Sequence, residues 1–218
     1  KMKRITKTVI MTAALCLALC AATRAQVEAV SVSGGAEYDK AGAGWQDLAR
    51  GHTLEQGDAV RTGGDGVVVL RWFDGNTVKV SPLTELTITT LSRTAGEKTS
   101  LGLNKGRVLV HAKKLGARDE FTVDTPVAHA GVRGTDFTAE HQTSPEEKSV
   151  FEVFDGSILV RAMDVEKIIS ADFYTIVELG DAPLDPTAIP DDTYDSMERE
   201  FDELLDTAGT QADDPPAE

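Results

Sequence analysis

Past residue 25 the chain contains no cysteine; its two cysteines, Cys16 and Cys20, both lie in the first twenty residues. That excludes disulfides, thiolate zinc sites and a cysteine nucleophile from the folded part, and leaves core packing to hold it together. Histidine is scarce as well. His52, His111, His129 and His141 show no HxH or HxxxH spacing, so no metal site is indicated, and His111 and His129 read as structural. There is no GxSxG elbow, no GxxxxGK(S/T) phosphate loop, no GxGxxG opening a helix and no DxDxDG calcium loop. The Asp-Gly pairs at 65, 74 and 155 read as hairpin turns rather than acid–base pairs. The expectation is a protein that is not an enzyme and needs no cofactor, with an envelope-polysaccharide hydrolase as the remote alternative, requiring two facing carboxylates.

Basic residues are outnumbered, 22 Lys and Arg against 36 Asp and Glu, for a net charge of −14. The first 25 residues hold five basic side chains (Lys1, Lys3, Arg4, Lys7 and Arg24) and no acidic one, so residues 26–218 stand at −19. Residues 181–218 carry thirteen acids against Arg199 alone. Such a chain repels phosphate backbones and anionic lipid surfaces, which excludes nucleic acid and membranes as main partners.

The basic head, the apolar run Val9–Ala22 and the small residues before Ala25 have the form of a secretory signal peptide over residues 1–25. The run is shorter than the roughly 20 residues a spanning helix needs, so the mature chain is expected not to span a membrane. Leu17-Ala-Leu-Cys20 approximates a lipidation signal, with Leu19 too large for its place.

From residue 26 to 180, short alternating segments are separated by glycine turns. Val67–Trp72 and Thr77–Val80 flank Asp74-Gly-Asn; Leu101–Leu103 and Val108–Ala112 flank a turn at Asn104-Lys-Gly106. Ser149–Phe154 and Ile158–Arg161 flank Asp155-Gly-Ser157, and Ile168–Leu179 forms one more pair bent near Ala171-Asp172. The glycines at 75, 106 and 156 head a weak, irregular repeat. The fold class read from this pattern is all-β, with short stacked strands, solenoid-like or sandwich. At its centre lies Thr125–Thr138, TPVAHAGVRGTDFT, in which Pro126, Gly131, Arg133, Gly134 and Thr135 form a structural corner. The fork of Arg133 reads as buried glue for carbonyls or one carboxylate, with a ligand-binding role as the alternative.

Pro183, Pro186 and Pro190 then mark a linker, and Asp191 or Asp192 caps an amphipathic helix within the 181–206 segment. Its apolar residues Tyr194, Met197, Phe201, Leu204 and Leu205 either pack back on the sheet or offer a partner-binding face. Residues 207–218 read as a disordered tail.

Several segments, taken in order, resemble one family. Leu54–Gly63 (LEQGDAVRTG), Val67–Val78 (VVVLRWFDGNTV), Leu103–Val108 (LNKGRV), Phe121–Phe137 (FTVDTPVAHAGVRGTDF) and Phe154-Asp-Gly156 together resemble the FecR domain, over residues 50–161. The resemblance implies an all-β, solenoid-like periplasmic module. In the regulators that define the family, that module receives a signal from an outer-membrane TonB-dependent transducer and controls a sigma factor through a membrane helix. The leader and the short extension after residue 161 make a stand-alone exported module the expectation, periplasmic or secreted, binding a protein or envelope polymer through its sheet edges or the Tyr194–Leu205 helix. A membrane-tethered relay with an uncleaved leader is the alternative.

Overall fold

The computed structural model describes residues 26–72, 75–91, 98–113, 120–132 and 134–210. The expected leader, Arg133 and the 211–218 tail lie outside the described residues. The described residues form seventeen strands and one helix, and the strands lie in two layers. Layer A runs, in spatial order, β4 (Thr53–Leu54), β1 (Val27–Ser33), β6 (Val67–Trp72), β7 (Thr77–Val80), the second half of β9 (Lys98–His111), β12 (Asp136–Gln142), β13 (Lys148–Asp155), β16 (Phe173–Glu178) and β17 (Thr187–Ala188). Layer B runs β3 (Trp45–Asp47), β2 (Ala36–Asp39), β5 (Ala59–Thr62), β8 (Glu85–Thr90), the first half of β9, β10 (Glu120–Asp124), β11 (His129–Val132), β14 (Ser157–Ala162) and β15 (Val165–Ser170). Among the described strands only β9 and β10 pair in parallel. The all-β architecture is therefore an open sheet folded into two layers, with one C-terminal helix.

Alternation builds the core. In β14 every second residue, Ile158, Val160 and Ala162, is buried, and β13 buries Ser149, Phe151 and Val153. These inward faces join residues of both layers in one apolar cluster, where Trp72 of layer A meets Phe121 of layer B edge-on at 5.9 Å.

Two expected turns take a different form. Asn104-Lys-Gly106 is no hairpin: β9 is a single fourteen-residue strand, and at Gly106 (φ +89) it leaves its layer B partners for β7 and β12 of layer A. A side chain there would strike Thr84, whose Cα stands 2.6 Å from the position of an added Cβ. Asp155-Gly-Ser157 likewise carries the chain between layers, because β13 pairs with β12 and β16 whereas β14 pairs with β11 and β15. The bend near Ala171-Asp172 is a third such crossing, with Asp172 at φ +69. The one tight hairpin of this region sits at Met163-Asp164, both at positive φ as a type I′ turn requires, without the glycine that usually announces one.

Helix α1 (Asp191–Thr210) runs four residues beyond the expected end at 206. Its last turn is held by Arg71, whose guanidinium donates to the Ala208 carbonyl at 2.9 Å, satisfying one of the carbonyls a helix end leaves open. The helix lies on the outer face of layer A, where Met197, Phe201 and Leu204 meet Val30, Val69 and Leu109.

Candidate functional site

The predicted corner residues divide between the two ends of β11. Pro126 is exposed in the hairpin joining β10 to β11, which Thr125 closes: its N–H donates to the Ala128 carbonyl at 2.8 Å, and its hydroxyl accepts from the Ala128 N–H at 3.0 Å. Gly131 lies within regular β11 and is absent from the positive-φ positions. An added Cβ there would come no nearer than 3.9 Å to Leu159 O, so neither conformation nor crowding demands glycine. Gly134 and Thr135 form the true crossing from layer B to layer A. Gly134 adopts φ +74, and the buried Thr135 hydroxyl donates to Ser157 O at 2.8 Å and accepts from Ser157 N–H at 3.3 Å. The same device recurs at the other end of the sheet. Thr84 donates to Arg107 O at 3.2 Å and accepts from Arg107 N–H at 3.0 Å, while Thr62 donates to Ser81 O at 2.6 Å and accepts from Thr84 N–H at 3.0 Å. Buried threonines thus supply the hydrogen bonds that strand ladders lose where the chain changes layers.

Of the candidate helix residues, Met197, Phe201 and Leu204 are buried under layer A and Tyr194 is half-buried, stacked on Phe154 at 4.8 Å. Leu205, 40% exposed, is the one that faces solvent. Burial raises the Tyr194 hydroxyl above its ordinary value, and nearby carboxylates, Asp172 first among them, reinforce the shift. The helix is also tied by charge: Glu200 accepts from Arg107 at 2.9 Å, and Glu203 lies 3.9 Å from Lys79.

The histidines find local partners. His111 pairs with Asp136 at 2.6 Å, and His129 with Asp124 at 2.9 Å, where Asp124 also accepts from Ser100 at 2.5 Å. His52 packs against Tyr38 with ring centroids 4.0 Å apart. Among the described residues no group of three or more metal-ligating side chains converges. A depression of about 310 Å³ holds one carboxylate, Glu120, and another of about 510 Å³ holds one, Glu140.

Sheet edges are expected to supply a contact surface, and the strand pairing identifies which strands form them. The edge strands β3, β4 and β17 are two or three residues long, but β15, which among the described strands pairs only with β14, runs for six. Long open edges are templates for another strand. In register, Gly131, Leu159 and Ile168 follow one another across β11, β14 and β15, so Leu159 and Ile168 stand together on the outer face. Ile168 is 67% exposed and Met163 65%, and the 310 Å³ depression lies between Glu120, Gly131, Leu159 and Ile168. On the opposite face of β15, Lys167 binds Asp185 at 2.7 Å, a hydrogen bond that holds this exposed carboxyl below its usual range. That bond ties the linker to the edge strand. No signal in residues 165–170 marked them as an edge, because edge position depends on which strands pair.

A strand-rich, two-layered open module with threonine-pinned crossings defines the class. Residues 58–159 match the FecR family, described as FecR protein, within the 50–161 stretch that carried the resemblance. Two crystal structures of a "putative anti-sigma factor" from Parabacteroides distasonis share the fold. One aligns with a TM-score of 0.52 at 15% identity, over 60% of this chain and 59% of that one. The other aligns with a TM-score of 0.50 at 16% identity, over 59% and 57%. The chain thus spans about three-fifths of the length of these structures. No curated protein matches it. Among the described residues no helix is long and apolar enough to cross a membrane.

Proposed function

We propose that the chain is a FecR-type regulatory module of the bacterial envelope that acts by binding a protein partner, without catalysing a reaction. The FecR match and the fold shared with structures described as anti-sigma factors support the regulatory class. The observation that carries the binding mode is the β15 edge. A partner strand added there continues the row Gly131–Leu159–Ile168 and extends the sheet through backbone hydrogen bonds, the usual source of affinity in strand addition.

The test is site-specific photo-crosslinking in envelope preparations. With the crosslinker at position 168, a discrete adduct to one protein is expected; at the exposed Lys40 on the opposite edge of layer B, none. Adducts at both positions, or at neither, refute the edge as the binding site. N-terminal sequencing of the exported chain tests the leader: a start near Gln26 supports release, and an intact leader supports the tethered relay.

A further inference from the structure

His141 is fully enclosed, with 0% of its side chain exposed, on the inward face of β12. A chain of hydrogen bonds fixes which ring nitrogen carries its proton. Thr125 spends its hydroxyl hydrogen on the Ala128 carbonyl, 3.2 Å away. Ser149 spends its own on Thr125 Oγ1, 2.8 Å away. The 3.0 Å contact between His141 Nδ1 and Ser149 Oγ therefore has the ring as donor, which leaves Nε2 a bare lone pair. Nε2 is buried and has no hydrogen-bond partner. The carboxylate that approaches it, Glu147 Oε1, stands at 3.8 Å, beyond hydrogen-bond reach.

We propose that the β12–β13 connection, residues 143–147, is a proton-operated cover: acid makes His141 a buried cation with no carboxylate within hydrogen-bond reach of Nε2 in the closed arrangement, and the connection lifts to admit water. The cover is thin. Thr143, Ser144, Pro145 and Glu146 are exposed, and one strap holds its far end, the Leu179 N–H donating to Glu147 O at 3.0 Å. Among the described residues no other charge comes within ion-pair reach of the ring, although Lys105 lines the depression that His141 also borders. From β9, the paired residue is Gly106, while Arg107 turns outward to Glu200. From β12, Glu140 lies on the outer face with Gln142, from which it accepts at 2.6 Å. From β13, Ser149 faces the ring and Lys148 alternates outward; from the β10–β11 hairpin comes neutral Thr125. Lifting the connection opens one wall of the 510 Å³ depression, which Ser144 lines together with Leu83 and Lys105.

Burial lowers the His141 pKa from its ordinary 6.5, more than the Glu147 charge and a backbone hydrogen bond with Lys148 raise it. An open form restores the ordinary value, so closure is fully favoured above pH 6.5 and weakens as pH falls toward the closed-state value. For a ring that stays neutral while closed, the opening constant rises about tenfold between pH 7.5 and 5.5.

Hydrogen exchange followed by mass spectrometry on the full chain reads this directly. After correction for the intrinsic pH dependence of exchange, peptides covering 143–149 should open up to about tenfold more at pH 5.5 than at 7.5, while β1 and β6 stay protected. In His141→Asn, whose amide can still donate to Ser149, the acid response should vanish. Glu147→Gln, which leaves the core wire intact, should keep it. Exchange that ignores pH in the native chain, or an equal acid response in His141→Asn, overturns the proposal. If His141→Asn fails to fold, imidazole NMR of the native chain decides: titration of His141 at or above 6.5 refutes the cover.

Discussion

Truncating Phe201 to alanine should peel α1 from the sheet while leaving the two layers folded. Phe201 is 2% exposed, sits between Met197 and Leu204, and stacks on Phe154 with centroids 5.4 Å apart. Removing a buried phenylalanine ring costs about 3–5 kcal/mol. Its other apolar anchors are Met197 and Leu204 on either side and the Tyr194–Phe154 stack, and Arg71 holds its last turn. The Arg107–Glu200 and Lys79–Glu203 pairs are partly or largely solvated, and exposed pairs give about 0.2–1 kcal/mol each. Nor does the helix stand alone, since twenty residues with eight acids near each other are marginal in isolation. The loss removes the central one of three buried anchors, and α1 should loosen from the sheet and melt first. Far-UV circular dichroism should lose its helical component while the fluorescence of core Trp72 keeps its native position, and a dye for apolar surface should bind over Val30, Val69 and Leu109. Retained helical signal with a stability change inside about 0.5 kcal/mol, the range of ordinary surface sites, would falsify this account. Loss of helix and of the Trp72 signal in one transition would also refute it, by making α1 an integral part of the fold.

Thr135→Val keeps the shape of the side chain but strands the Ser157 carbonyl and amide, so chemical denaturation should register a loss of about 1–3 kcal/mol. Gly156→Ala should cost about 1–3 kcal/mol in the same assay, because position 156 holds φ +83 and a Cβ there would lie 2.8 Å from Gly134 O. Gly131→Ala, at regular backbone with room for a methyl, should change stability little, and a loss above 2 kcal/mol would show that the glycine is needed after all. With the crosslinker moved to the neighbouring exposed position 163, Ile168→Lys should leave the melting curve unchanged and abolish the adduct; an undiminished adduct counts against strand addition there.

Strand identity was legible because alternation is a local property: the buried Ile158, Val160 and Ala162 can be read directly from Ser157–Ala162. Strand destination was not. Asp155-Gly-Ser has the composition of a hairpin, and only the pairing of β13 and β14 with different neighbours reveals a layer crossing. Likewise Asn104-Lys-Gly106 has turn chemistry, yet the chain bends without reversing, because β7 and β12 wait on the other layer to receive it. The corner at 126–135 was seen as one feature where there are two, since Gly131 resembles Gly134 in sequence and differs from it only in backbone angle. The Thr125–Ser149–His141 wire left no trace at all: its members lie in three separate segments, and tertiary pairing alone assembles them.

That β9 serves as middle strand to both layers has a consequence for how the chain can be cut and rejoined. Opening the backbone anywhere from residue 98 to 111 would leave each half with a raw flank and nothing to cover it, so permuted versions starting there should fail to assemble. New ends placed at the exposed tips, near Lys40 or Met163, would divide no shared strand, and those versions should fold.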